Sequence, residues 1–331
     1  MMKYEIFKDV VAEKFKDYLP ERYKDMEIRI SPVDKVNRVM DGITLVSNQA
    51  GKNISPTLYI NDMYDNYLNT ENLQEVLQNA AKCMDKAFME APEVSNLDYE
   101  NAKDNIVFQV INTVQNEDML RDMPHREFQD LSIIYRWVIG IDERGIQSTI
   151  IRDNLATHLG MNEEQLYKCA VENTRRILPP VVKSMRDVFR EMFMSDGMPP
   201  EIADMMISEI PVDRMMYVIS NEKGINGAGS MLYEDNLHNL AMQLESDLYI
   251  LPSSVHECIA VSVDMGDPYE LAEMVNEINM GQVTLDERLS NQVYHYDKDL
   301  RKLTLATDTP NKRLDGIVAE PQLIYDGGKS R

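Results

Sequence analysis

Between Leu131 and Ile177 the hydrophobic period changes from two residues to that of a helix, and this switch constrains the fold more than any other feature. Ile133, Tyr135, Trp137 and Ile139 alternate with other residues, as a strand with one buried face requires. Asp142-Glu143-Arg144-Gly145 reads as a turn, with Gly145 free to take a positive φ. Ser148–Ile151, rich in β-branched residues, reads as the partner strand. Asp153-Asn154 offers short acceptor side chains to the free N–H groups of a first helical turn. Gly160 ends that helix, and Asn162 caps a longer one expected to bury Leu166, Cys169 and Ala170.

The same order of strand, strand, helix and helix is expected at Gly42–Met84, with strands at 43–46 and 57–60 joined through Gly51, and at Met215–Leu244. Asn61-Asp62, Asp153-Asn154 and Asp235-Asn236 then fall at one structural position, as in an internal repeat. The plainer alternative is that every strand-to-helix junction favours Asp or Asn. The spacing is too irregular for a solenoid. The fold class expected is α+β, with mixed, largely antiparallel sheets flanked by helices and a repeated strand-strand-helix-helix unit. The domains expected are an N-terminal α+β unit at 1–90, a main region at 105–307 and a loose tail at 308–331. The Pro- and acid-containing segment 90–104 is the boundary.

Further elements follow from the same patterns. A helix over 4–19 carries Ile6, Phe7, Val10, Val11, Phe15 and Leu19 on one side and stops at Pro20. Strands are expected at 26–31, 36–40, 106–112, 248–251 and 259–263, and a hairpin at 292–296 and 302–306. Helices are expected at 116–123, 185–194, 200–206 and 268–279, with Pro179-Pro180 breaking the chain between them. Met185, Met192, Met194, Met198, Met205 and Met206 crowd one segment. They are expected to pack as ordinary core; the alternative is an adaptable binding groove.

The net charge of −22 opposes the approach of nucleic-acid phosphates, so no DNA or RNA partner is expected. The acids alternate with Lys and Arg, as on a solvated surface; the sharper alternative is a decoy for basic partners. No apolar run nears the ~20 residues that span a bilayer. Met1–Asp9 lacks an apolar signal region, so a cytoplasmic protein with no membrane partner is expected. Three widely spaced cysteines, Cys83, Cys169 and Cys258, suit neither a disulfide framework nor a zinc site. His158, His238 and His295 lack metal-ligand spacing, and no cofactor is expected.

Two stretches carry reactive side chains. Ser253-Ser254-Val255-His256-Glu257-Cys258 combines hydroxyls, an imidazole, a carboxylate and a thiol between two strands. On a regular strand Ser254, His256 and Cys258 share one face and Glu257 points to the other. A Ser254–His256 couple would then need its orienting carboxylate from elsewhere. The reading preferred is that Ser254 and His256 close a hairpin and bond local backbone groups. His125-Arg126-Glu127 reads as an exposed loop with a local ion pair, or as an anion site through Arg126. Gly224-Ile225-Asn226-Gly227-Ala228-Gly229 has neither P-loop nor dinucleotide-binding spacing, and reads as a bend between strands. Tyr294-His295-Tyr296 reads as a surface aromatic pair.

The stretches HREFQDLSIIYR, NEEQLYKCAVENTRRILPP, MYVISNEKGINGAGSMLYEDNL, LYILPSSVHE and LSNQVYHYDKDLRKL resemble a domain-of-unknown-function family of anaerobic gut Firmicutes. More distantly, the order of elements is similar to that of the uncharacterised YtpQ-like proteins of bacilli. The resemblance implies a cytosolic bacterial protein and transfers no catalytic residue. The function expected is a non-enzymatic protein-binding or regulatory module whose partner is another protein, its oligomeric state open. The alternative is a hydrolase or small-ligand-binding enzyme using the 253–258 and 125–127 stretches, which would have to converge on one concave pocket.

Overall fold

The structure is a computed structural model that describes residues 1–46, 56–90, 99–142, 145–208 and 216–316. The chain forms two compact units, Met1–Ala102 and Lys103–Arg331. Gly51, residues 91–98, Glu143, Arg144, Met215 and the tail from 317 lie outside the described residues.

In the first unit, helix α1 (Tyr4–Lys14) runs into a short 3-10 turn, and strands β1 (Glu27–Lys35), β2 (Arg38–Val46) and β3 (Thr57–Tyr59) form an antiparallel sheet in that order. Helices α2 (Ile60–Thr70) and α3 (Leu73–Glu90) cover it. The strands expected at 26–31 and 36–40 are parts of one longer hairpin turning at Asn37, whose φ is +66°. Pro32 does not break β1 because β1 is an edge strand and one of its sides needs no N–H donor. Phe7, Val11 and Phe15, spaced by four, pack with Ile43, Leu45, Met63, Leu77 and Met84. Ile6, placed on the same side from sequence, is exposed because that face of α1 is set by the Phe7 row.

The second unit begins with β4 (Ile106–Asn112), the single turn α4 (Glu117–Leu120), β5 (His125–Phe128), β6 (Leu131–Asp142) and β7 (Gly145–Ile150). β6 is the hub. β4 pairs along one of its edges, and β5 and β7 share the other. Helices α5 (Asp153–His158) and α6 (Glu163–Ile177) follow. α6 opens with a reciprocal cap in which Asn162 Oδ1 accepts the Gln165 N–H at 3.0 Å and Gln165 Oε1 accepts the Asn162 N–H at 2.9 Å. It buries Leu166, Ala170 and Thr174, while Cys169 is half-buried. Thr174 Oγ1 accepts the Phe108 N–H of the edge strand β4 at 2.9 Å.

Next come β8 (Pro180–Ser184), α7 (Met185–Ser195), α8 (Pro200–Ser208), β9 (Tyr217–Asn221), a 3-10 turn at Gly227–Leu232 and α9 (Glu234–Leu244). Then come β10 (Leu248–Leu251), β11 (Cys258–Ser262), α10 (Pro268–Gly281), β12 (Tyr294–Asp297) and β13 (Lys302–Leu305). Six strands form an antiparallel sheet in the order β13-β12-β10-β11-β9-β8. The fold is α+β, with antiparallel sheets flanked by helices. β8 was hidden behind Pro179-Pro180; at the start of an edge strand the missing N–H of Pro180 costs no ladder bond.

The repeat is not realised. Asn61 is the second residue of α2, and its side chain accepts the Asp41 N–H of β2 at 2.8 Å. Asp153 is the first residue of α5 and Asp235 the second of α9; the residues before the three helices, Tyr59, Arg152 and Tyr233, supply no side-chain cap. α9 follows a 3-10 turn rather than a strand. Residues 308–316, expected to belong to a loose tail, include a packed position. Leu314 is fully buried, its carbonyl accepts from Arg288 at 2.6 Å, and its N–H donates to Gln115 at 3.1 Å. The methionine segment is not core: α7 buries none of its residues, and Met192, Met194, Met205 and Met206 are exposed.

The caps separate cleanly by mutation. Asn162→Ala should cost about 1 kcal/mol in urea denaturation. Asp153→Ala should cost no more than the few tenths that an acid near a helix N-terminus contributes.

Candidate functional site

The 253–258 stretch is a loop between β10 and β11, tied down mainly by its backbone. The Pro252 and Ser253 carbonyls accept from the Ser290 and Leu289 N–H groups, each at 2.9 Å, and the Val255 N–H donates to the Glu287 carbonyl at 2.8 Å. Ser254 makes an isolated bridge with Arg288, so Ser254, His256 and Cys258 do not share a strand face as expected. Ser254 Oγ accepts the backbone N–H of His256 at 3.0 Å, and no hydrogen bond joins the hydroxyl to the imidazole. His256 Nδ1 accepts the Asn226 N–H at 3.2 Å. That leaves Nε2 as the protonated nitrogen of the neutral ring, 3.8 Å from Glu287 Oε1. Cys258 is fully buried against the Ala228 carbonyl and the Met231 sulfur, and burial pushes its thiol well above the ordinary range. Ser253 and Glu257 are half-buried.

His125-Arg126-Glu127 is not a loop but most of strand β5. His125 Nδ1 lies 3.0 Å from the Met123 carbonyl, and Glu127 is exposed. Arg126 grips Glu163 through two bonds of 3.0 and 2.9 Å, reaches Glu164 at 2.6 Å, and lies 3.8 Å over the Tyr167 ring. The Tyr135 hydroxyl donates to the same Glu163 at 2.5 Å. Burial alone would raise Glu163, but the bonds from Arg126 and Tyr135 outweigh it and hold the carboxyl below its usual value. The guanidinium is matched within the fold and is not an open anion receptor. No hydrogen bond or ion pair connects this strand to the His256 loop, and the two clefts described below include neither stretch.

What does reach the His256 loop escaped the sequence reading. Arg136, on β6, bonds Ser148 Oγ at 2.9 Å, the Ser148 carbonyl at 3.4 Å and Gln109 Oε1 at 3.2 Å. Gln109 Nε2 continues to Asn226 Oδ1 at 3.0 Å, and Asn226 continues to His256. Asn226 is held at φ +51°. A cation between Ile134 and Val138 in the even-numbered row of β6 was the sequence sign of this chain of bonds. Arg136 has only neutral acceptors, and burial pushes its pKa down.

Gly227 and Gly229 do not bend between strands; they form a 3-10 turn packed beneath the loop. A Cβ on Gly227 would lie 2.6 Å from the His256 carbonyl and 2.8 Å from the Asn221 nitrogen, and one on Gly229 would lie 2.6 Å from the Phe108 ring. Tyr294 and Tyr296, expected at the surface, are fully buried around half-buried His295. Tyr294 and Ser290 both donate to Asp130, and Tyr296 donates to Glu234 at 2.6 Å, beside Arg301.

Two of the clefts in the described structure bear on function. One, of about 450 Å³, lies in the first unit among β3, α2 and α3. The other, of about 320 Å³, lies in the second unit between Phe128, Met231, Leu237, Tyr296, Arg301 and Leu303. Among the described residues no group of three or more His, Cys, Asp or Glu is placed to hold a metal ion, and no helix is long and apolar enough to cross a membrane.

Fold and side-chain placement thus define an α+β protein of antiparallel sheets, with its conspicuous polar groups bonded inside the structure. Residues 4–298 match the model of a family of unknown function (DUF5688), and the chain belongs to that family. Comparisons with curated proteins and with solved structures found no match.

Gly227→Ala should destabilise by about 1–3 kcal/mol, because two of the groups it meets, the His256 carbonyl and the Asn221 nitrogen, are backbone and cannot turn aside; thermal unfolding measures this. Asp130 supplies a pH test. Burial raises its carboxyl above the ordinary value, against the bonds from Ser290 and Tyr294. The folded state therefore holds its proton more tightly than the unfolded state. That contribution is fully present below the unfolded value of about 4 and is lost as pH rises through the folded value. Asp130→Asn removes this dependence, so its stability relative to the parent should improve as pH rises from about 4 in urea titrations.

Proposed function

We propose that the protein is a non-enzymatic protein-binding or regulatory module whose partner is another protein, and that the hairpin α7–α8 is its contact surface. The observation that carries this is the exposure of Met192, Met194, Ile202, Met205 and Met206 on two neighbouring helices, the first of which buries nothing. Thioether side chains remodel to fit different apolar surfaces, which suits a contact face better than a core.

Charge narrows the partner. Residues 183–208 hold three cations (Lys183, Arg186, Arg190) and five acids (Asp187, Glu191, Asp196, Glu201, Asp204), a net −2 within a chain of −22. Lys183 is paired with Glu191 at 2.7 Å and Arg190 with Asp204 at 2.6 Å. A basic amphipathic segment offers both the apolar stripe and the opposite charge. The setting proposed, on the sequence resemblance, is the cytoplasm of a gut Firmicute, with more distant kinship to the YtpQ-like proteins.

The test uses a synthetic basic amphipathic helix and the full-length protein. Met192→Ser/Met205→Ser/Met206→Ser should weaken binding at least about tenfold while circular dichroism stays unchanged. An acidic helix of the same apolar pattern should not bind. Equal binding by parent and triple variant removes the hairpin from the proposal. The enzymatic alternative is tested with a fluorophosphonate probe: labelling that vanishes in both Ser254→Ala and His256→Ala would overturn the non-enzymatic reading.

A further inference from the structure

The cleft of the first unit is a ligand-sized space with chemistry of one sign. Its volume of about 450 Å³ falls in the range of small-molecule sites. The buried floor is Met63, Val76 and Ala80, and the polar wall includes Asp62, Asn66, Glu75 and Asn79. Among the described residues no cation lines it. Among the described residues the Asp62 carboxylate has no hydrogen-bond or ion-pair partner, and Glu75 bonds only within its own helix start, to Asn72 at 3.1 Å. Lys35 lies 4.4 Å over the Tyr59 ring at the rim, so the two carboxylates and this ammonium leave a net −1.

We propose that this cleft binds a small organic cation, a primary amine carried on a short apolar body. The floor buries the body, where removal of apolar surface from water supplies the affinity. The carboxylates and amide oxygens receive the ammonium's three donors. Because the carboxylates are exposed and screened, charge adds selectivity more than strength. Dissociation constants of ~0.1–1 mM are expected for a single-ring amine. This site does not depend on the α7–α8 reading, since it lies in the other unit.

The protein carries its own reporter. Cys83 lines the cleft and is exposed, whereas Cys169 is half-buried and Cys258 buried. The experiment follows alkylation of each cysteine in the full-length chain with tyramine as the probe. Its neutral and anionic counterparts, 4-ethylphenol and 4-hydroxyphenylpropionate, serve as comparisons. Tyramine should slow Cys83 saturably and leave Cys169 unaffected; the neutral phenol should act about tenfold more weakly and the acid not at all. Asp62→Asn/Glu75→Gln, both at exposed positions, should weaken protection about tenfold with an unchanged unfolding curve. The proposal is overturned if millimolar tyramine leaves Cys83 alkylation unchanged, if the neutral phenol protects equally, or if the double variant keeps the parent's protection.

Discussion

Strand β6 has to satisfy two edges and two faces at once, and the second unit is arranged around that demand. Its backbone pairs with β4 on one edge and with β5 and β7 on the other. Leu131, Ile133, Tyr135 and Trp137 are buried on one face, and Ser132, Ile134 and Val138 on the other. A strand buried on both sides leaves no face for water, so each polar group it carries must find a partner inside the protein. Tyr135 finds Glu163 at the start of α6, and Arg136 finds Ser148 and Gln109. The second solution has a long reach. Gln109, occupied on one side by the guanidinium, turns its amide to Asn226, whose backbone then meets His256. The loop that looked most reactive, tied down mainly by its backbone, is thereby also linked to a half-buried arginine.

Bonding of this kind turns reactive residue types into structural ones. Ser254 accepts from backbone, His256 is bonded through Nδ1, Cys258 is sealed from water, and Arg126 is matched by two carboxylates. The unengaged chemistry lies elsewhere. It is on the methionine hairpin beside edge strand β8 and in the acidic cleft of the first unit.

Much of the fold was legible where a period persisted over many residues. The alternation along β6, the four-residue row of α1, the cap at Asn162 and the hairpin of β12 and β13 all emerge from local rules. β8 was not legible, because a double proline is a break by local rules and only its edge position makes it harmless. The three Asp/Asn junctions were misleading, since their side chains serve other needs: Asn61 ties β2 to α2, and Asp235 bonds Arg175 at 2.6 Å. Glu287 and Asn226, which flank His256, come from separate turns and share no motif with it.

For most elements sequence alone determined which residues would be strand or helix and which side would be apolar, because those properties arise from neighbours two to four residues apart. Tertiary structure alone decided whether an apolar side would be covered and whether a reactive group would be free. The face of α7 has the same kind of pattern as that of α6, yet α6 lies on β4 and buries Leu166, Ala170 and Thr174 while α7 buries nothing. Coverage depends on which distant segment arrives at a given face, and no local pattern carries that information.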